Sequence, residues 1–236
     1  THFGLDRRIA RVTLTRVGTS TRRILIGAIA VTILLSLLVP SATARSACVV
    51  PIMMGVIAAF GVDKRSNIAA GLMIVVAQGT SIWNVGIQTA AAQNLLTVGF
   101  MDKMLGQRVA WLDWLIAGAP WAVIMSLVLL WLVLKLLPPE TDSIPGGKEA
   151  VAQSLADIGP MTGPQKRLLA VSVLLLLAWS TEGKLHPFDT TTTTYAGLVI
   201  LLLPRIGIMT WKDVQSRIPW GTVIVFGVGI SLGSAL

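Results

Sequence analysis

The sequence predicts an all-α polytopic membrane protein, and three observations carry that reading. Hydrophobic residues make up 54% of the 236 positions and charged residues only 13%. Mean hydropathy is +0.76, and apolar runs recur along the chain. These runs are continuous stretches of Leu, Ile and Val, not the alternating segments of about ten residues that a transmembrane barrel would show. In a soluble protein, several such helices would have nothing to pack behind. The net charge of +8 could draw nucleic acid, but the basic residues sit at the ends of apolar runs without aromatic residues on a common face. They read as topology signals, so no nucleic-acid partner is expected.

Composition also narrows the chemistry. The one cysteine, Cys48, lies inside an apolar arm, which excludes a disulfide framework or a zinc site. His2 and His186 are far apart and share no motif with an acidic or thiol group. No HExxH, GxSxG or P-loop occurs, and no Asp, Glu or His falls inside a predicted span, so an enzyme is not expected. The chain begins at Thr1 and stops at Leu236 within an apolar run, and is read as a piece of a longer protein.

Residues 1–23 carry Arg7, Arg8, Arg11, Arg16, Arg22 and Arg23 against the single acid Asp6, a cytoplasmic flank under the positive-inside rule. The stretch suits an amphipathic helix lying on the anionic leaflet with Ile9, Val12 and Leu14 toward lipid.

Residues 24–61 form the unit around which the rest is arranged. The first arm, Ile24 to Val39, has 16 residues and spans about 24 Å as a helix. Pro40 ends it, because the residue before a proline is pushed out of the helical region. The polar tip Ser41-Ala42-Thr43-Ala44-Arg45 follows, then a second arm from Ser46 to Phe60. Hydroxyls of Ser41 and Thr43 can cap the second helix. Polar atoms and a cation where neighbours demand hydrocarbon point to function. Two arrangements fit: a re-entrant hairpin whose tip is buried in protein, or an ordinary pair of spanning helices with an outer turn from which Arg45 snorkels. Arm length does not separate them.

Residues 62–110 read as a broken transmembrane helix. The apolar stretch Ile68 to Val76 passes into twelve polar and glycine-rich residues, Gln78 to Thr89, before Ala90 to Met101. An interruption at membrane depth is tolerated beside a cavity or ion site; the other reading is a loop between two short helices. Asp102, Lys103 and Arg108 make a charged outer loop, and Trp111 and Trp114 mark an interface.

Residues 111–137 then supply a full span, Leu115 to Leu137, and residues 138–165 a polar cytoplasmic connector with one short helix around Lys148 to Ile158. Residues 166–236 begin again with Leu168 to Trp179 and an outer loop, after which Asp189 caps a helix opening on the threonines Thr190 to Thr194. A cytoplasmic loop anchored by Trp211 and Trp220 follows, then a glycine-rich segment from Trp220 to Leu236. Of the 19 Lys and Arg, fifteen fall in the cytoplasmic segments, three in the outer loops (Lys103, Arg108 and Lys184), and Arg45 at the tip. That bias returns the first two arms to the side they came from, in either arrangement. It sets an integral, multi-pass protein in a plasma or inner membrane with its N-terminal flank cytoplasmic.

Pro40-Ser41-Ala42-Thr43-Ala44-Arg45-Ser46-Ala47, followed by Val49-Val50-Pro51-Ile52, resembles the Ser-Asn-Thr hairpin tip and apolar-Pro-Ile arm of the divalent anion:sodium symporter family of dicarboxylate, citrate and sulfate carriers. Further similarities are Gln93-Asn94 at the break, Leu112-Asp113-Trp114, Gly159-Pro160-Met161 ahead of Lys166-Arg167, and Trp211-Lys212-Asp213 leading to Ile218-Pro219-Trp220-Gly221. The closing run Phe226 to Leu236 resembles the family's glycine-rich helix before its second hairpin.

The resemblance implies an inverted-repeat, elevator-type transporter, usually a homodimer in the bilayer, with two hairpin tips and two helix breaks holding a small anion and sodium ions. No cofactor is implied; sodium is the coupling ion, with protons as the other possibility. The first tip and break are here, and the second tip would follow Leu236. Carried over, Ser41, Gly86 and Asn84 would serve the cation, with sodium at Ser41 and the Gly86 carbonyl. Thr43, Ala42 and Arg45 would face the substrate, a dicarboxylate, citrate or sulfate. Two departures stand out: the tip asparagine is Ala42, and Thr-Pro-Pro-Asn is Ala91-Ala92-Gln93-Asn94. A guanidinium at Arg45 could pair with the anion in place of the missing cation ligand, or bind helix-end carbonyls. The alternatives kept in view are an oxyanion efflux permease of the same broad superfamily and a non-transporting membrane scaffold.

Overall fold

The computed structural model describes residues 4–17, 20–59, 63, 65–141, 159–204, 206–216, 218 and 220–235. The helix expected around Lys148 to Ile158 lies outside these residues. Among the described residues the secondary structure is helical: α1 (Leu5–Val17), α2 (Thr21–Leu38), α3 (Ala42–Ala59), α4 (Asn67–Gly86), a single 3-10 turn (Gln88–Ala90), α5 (Ala92–Leu105), α6 (Trp111–Leu136), α7 (Gly163–Ser180), α8 (Thr190–Leu202), α9 (Trp211–Gln215) and α10 (Trp220–Ala235). Three of them, α2, α4 and α6, are long and apolar enough to cross a membrane.

Helix α4 is the axis, packed against α6, α2 and α3. Its buried residues Ile68, Leu72, Val75, Val76, Ile82 and Trp83 recur every three, four or seven positions and form one broad stripe that meets these neighbours. Helix α6 has a narrower inward stripe: Ala122, Ser126, Leu129 and Val133 recur every three or four residues and meet α4. Its other faces expose Ile116, Ile124, Leu127 and Trp131, apolar residues that suit lipid.

Helix ends follow local chemistry. Val39, before Pro40, is extended and closes α2. Ser66 caps α4 through its hydroxyl, which accepts from the Ala69 N–H, and the Glu140 carboxylate accepts from the Asn67 N–H at 2.6 Å. That bond, with a weaker one from the Ile68 N–H, holds the Glu140 carboxyl below the usual carboxylate range. Asp189 caps α8 by accepting from the Thr192 N–H at 2.6 Å. The threonine run is thus the first turn of a helix, as helix-end chemistry requires.

Three expectations change. First, α4 runs unbroken through Gln78–Val85, and the interruption is confined to Ile87–Ala91. Each glycine costs about 1 kcal/mol of helix propensity, but Gly79 packs so closely on Thr32 that a Cβ there would stand 2.9 Å from its hydroxyl. The glycines serve close approach between helices, not unwinding. Second, α3 begins at Ala42, so Thr43 and Arg45 belong to its first turn and the connection shrinks to Val39–Ser41. Third, α1 packs on α2 and α3, with Leu5, Ala10 and Leu14 buried. Leu14 therefore faces protein, because α2 and α3 offer apolar surface alongside it.

Candidate functional site

The site forms where the α2–α3 connection meets the end of α4. After Val39 the chain turns sharply: the Ser41 N–H donates to the Val39 carbonyl at 2.8 Å, and the Ser41 hydroxyl accepts from the Ala44 N–H at 3.3 Å. Ser41 is thereby the N-cap of α3, and Arg45 follows one turn in, its N–H bonded to the Ser41 carbonyl at 3.0 Å.

Arg45 is 1% exposed, a charged residue placed where such residues are rare unless fully partnered. Its Nη1 donates to the Val39 carbonyl at 2.9 Å and to the Ala90 carbonyl at 3.4 Å. Its Nη2 donates to the Asn84 Oδ1. One guanidinium therefore ties three pieces of chain together: the end of α2, the last turn of α4, and the 3-10 turn after it. The Arg45 Nε–H is buried without a hydrogen-bond partner among the described residues.

The break itself is held by side chains. A helix end leaves its last carbonyls without internal donors. Here Asn94 Nδ2 donates to the Asn84 carbonyl at 2.6 Å and to the Ile87 carbonyl at 3.0 Å, while Trp114 Nε1 donates to the Val85 carbonyl at 2.9 Å. Two more indoles fix the surroundings: Trp111 Nε1 to Thr89 Oγ1 at 3.1 Å, and Trp83 Nε1 to Ser126 Oγ at 3.1 Å. Helices α4 and α6 cross closely, since a Cβ on Gly118 would lie 3.2 Å from the Val85 carbonyl oxygen and 3.3 Å from that of Gly86.

The residues singled out from sequence divide accordingly. Arg45 and Asn84 meet directly. Ser41 lies at the same connection as the Arg45 backbone. Thr43 is exposed and Ala42 half-buried, both on the first turn of α3. The Gly86 carbonyl approaches Gly118 of α6. Residues missed from sequence are Asn94 as a clamp on the break, Trp114, and two buried polar groups: Asp6, which is 4% exposed on α1, and Gln88, which is 2% exposed in the 3-10 turn. Asp6 lines a cavity of ≈ 340 Å³ with Leu35, Val39, Pro40 and Ala44 beside the tip. Only the asparagine had a signal, at the last position of the altered Thr-Pro-Pro-Asn motif.

A multi-pass α-helical membrane protein, with a helix pair and an interrupted helix joined at one buried guanidinium, is the class that this fold and site define. Over residues 1–236 the sequence matches the family described as the sodium:sulfate symporter transmembrane region, and the chain belongs to that family. This is a family of transporters, not enzymes, and it uses no organic cofactor. The resemblance read from the tip and break motifs is borne out. The chain is 77% identical over 233 residues to a protein of Cupriavidus necator named only as a membrane protein, covering 99% of this chain and 45% of that one. It is 31% identical over 242 residues to the inner membrane protein YbhI of Escherichia coli, covering 99% of this chain and 49% of YbhI. With the sodium-dependent dicarboxylate transporter SdcS of Staphylococcus saprophyticus it shares 26% identity over 258 residues, 99% of this chain and 49% of SdcS. The chain thus spans about half the length of the curated relatives it matches.

Proposed function

We propose that this chain contributes half of the anion site of a secondary carrier for small di- or tricarboxylates or related divalent anions, driven by sodium or protons. The observation that carries the reading is Arg45, a fixed positive charge held where the α2–α3 connection meets the α4 break. Family membership and the names of the relatives, sodium-dependent dicarboxylate transporter and putative malate transporter, agree with an anionic substrate.

On this reading α2 and α3, 18 residues each, form a re-entrant hairpin, and its exposed Thr43 hydroxyl meets a substrate carboxylate. Ala42 offers only its backbone where the family has an amide. Ser41 and the Gly86 carbonyl are the oxygen donors for sodium, a hard cation, and Asn84 joins them only by exchanging the bond that its Oδ1 accepts from Arg45. The unpartnered Nε–H of Arg45 is the donor left for the anion, and its charge makes up part of what Ala42 removes. The whole carrier works as a homodimer, with the tip and break moving together.

The test is uptake of labelled succinate, citrate and sulfate into proteoliposomes under an imposed sodium gradient and, separately, a proton gradient. Driven uptake of at least one anion supports the carrier, and Arg45→Gln should lower it. Normal uptake by Arg45→Gln would sink the pairing of Arg45 with substrate. Absence of uptake for all three would favour an oxyanion exporter, tested by extrusion from loaded vesicles.

A further inference from the structure

Trp111 reads from sequence as an interfacial tryptophan, yet it is 3% exposed and its partners are protein groups. It is the first residue of α6, so its own N–H is one of the donors that a helix start leaves without an internal acceptor. Glu182 Oε2 accepts from that N–H at 3.4 Å and from the Thr190 hydroxyl at 2.7 Å, which sets a carboxylate at the positive end of the helix. The indole ring meets Trp179 of α7, with ring centroids 6.1 Å apart and 34° between the planes, a favourable spacing for an aromatic pair. Main chain and ring are therefore both fixed from α7 and the start of α8.

The fixed indole in turn holds the break. Its Nε1 donates to Thr89 Oγ1 at 3.1 Å, and Thr89 is itself buried. Gln88, beside it, donates from Nε2 to the Val109 carbonyl at 3.3 Å. Two consecutive residues of the 3-10 turn are thus tied to the chain that enters α6. The third residue of the turn is Ala90, also buried, and its carbonyl accepts from Arg45 Nη1 at 3.4 Å. A contiguous set of buried bonds therefore runs from α7 and α8 through Trp111 and Thr89 to the guanidinium.

We infer that Trp111 is a positioning residue for Arg45: through Thr89 it fixes the Ala90 carbonyl, and so the guanidinium, where the tip meets the break. The inference rests on the reading of Arg45 as the group that pairs with the anion. It gives Trp111, with Glu182 and Trp179 behind it, a part in anion affinity at one remove from the anion, since small displacements of a binding group weaken what it binds.

The experiment compares the full-length wild type with Trp111→Phe, Thr89→Val, their double variant and Thr89→Ser in proteoliposomes. It reads KM and maximal rate, per folded protein, for whichever of labelled succinate, citrate or sulfate the wild type takes up. Phenylalanine keeps a ring against Trp179 and lacks the N–H; valine matches threonine in shape and lacks the hydroxyl; serine keeps it. Trp111→Phe and Thr89→Val should each raise KM by roughly two- to tenfold, the size of one buried hydrogen bond, with the maximal rate kept within about twofold. Their double variant should show less than the product of the two effects, because they share one bond, and Thr89→Ser should match the wild type. A lower rate with KM unchanged in both single variants would reduce Trp111 to packing and overturn the inference. Thr89→Ser as impaired as Thr89→Val would overturn it too. Should the wild type take up none of the three anions, the carrier reading fails by itself and thermal unfolding decides the positioning. Trp111→Phe combined with Arg45→Met should then lower Tm by less than the sum of the two, and strict additivity would overturn the inference.

Discussion

Replacing Arg45 with methionine keeps much of its volume and removes every donor, so it isolates what the guanidinium does. Three acceptors lose a partner, but not equally. The Val39 carbonyl retains the Ser41 N–H at 2.8 Å, whereas the Ala90 carbonyl and the Asn84 Oδ1 lose the Arg45 bonds that connect the 3-10 turn and α4 to α3. Each buried acceptor left unpaired costs about 1–3 kcal/mol, so the two that lose their bonds cost about 2–6 kcal/mol. Methionine also avoids the desolvation of a buried cation, and apolar replacement of whole buried ion pairs is often harmless. Here the partners are neutral chain atoms that remain in place, so the loss should win. For a chain of this size about 2–6 kcal/mol corresponds to a fall in Tm of roughly 4–24 °C. The assay is thermal unfolding in detergent of the wild type, Arg45→Met, Asn84→Ala and the double variant. The two single effects should be less than additive when combined, because they share one bond. A Tm within about 2 °C of wild type for Arg45→Met would refute the view that this guanidinium ties the tip to the break.

Two further outcomes follow from the packing and the caps. Gly118→Ala places a Cβ 3.2 Å from the Val85 carbonyl oxygen and 3.3 Å from the Gly86 Cα, and the backbone cannot give way cheaply, so an overpacking cost of about 1–3 kcal/mol should exceed the roughly 1 kcal/mol gained in helix propensity. Gly99→Ala in α5 meets nothing within 4 Å and should stabilise; equal stabilisation by both would refute the close crossing of α4 and α6. Glu140 is held below its ordinary range in the folded protein by the Asn67 N–H, so its contribution is present above the unfolded carboxylate value of about 4.3 and is lost as pH falls through the lower folded value. Protection of the Asn67 and Ile68 amides, taken as observed exchange relative to the intrinsic rate at each pH, should fall over that acid range in the wild type and show no such step in Glu140→Gln; matching profiles would contradict the cap.

What the sequence discloses here depends on how far apart the cause and its effect lie along the chain. Pro40 stops α2 and Asp189 opens α8 because both act on neighbouring backbone, and both were readable. The apolar faces of α2, α4 and α6 were readable for the same reason. Gly79 and Gly86 misled because glycine has two uses, unwinding a helix and letting another approach, and the choice rests on Thr32 and Ala122, which come from other helices. Arg45 was recognised as out of place, but its partner Ala90 is 45 residues away. Gln88 and Glu182 carried no local signal, since an ordinary polar loop has the same composition.

Under the proposed function the first turn of α3 faces the anion, and Thr43 offers the most direct test. Cys48 is buried, so in the full-length protein with Cys48→Ala and any cysteine outside residues 1–236 replaced, Thr43→Cys is the sole thiol, at an exposed position. The measurement is its rate of labelling by a maleimide in proteoliposomes, with and without succinate, citrate or sulfate. At least one of these anions should slow labelling in a saturable manner, and tetramethylammonium chloride at equal ionic strength should not. Labelling unchanged by all three anions would contradict it.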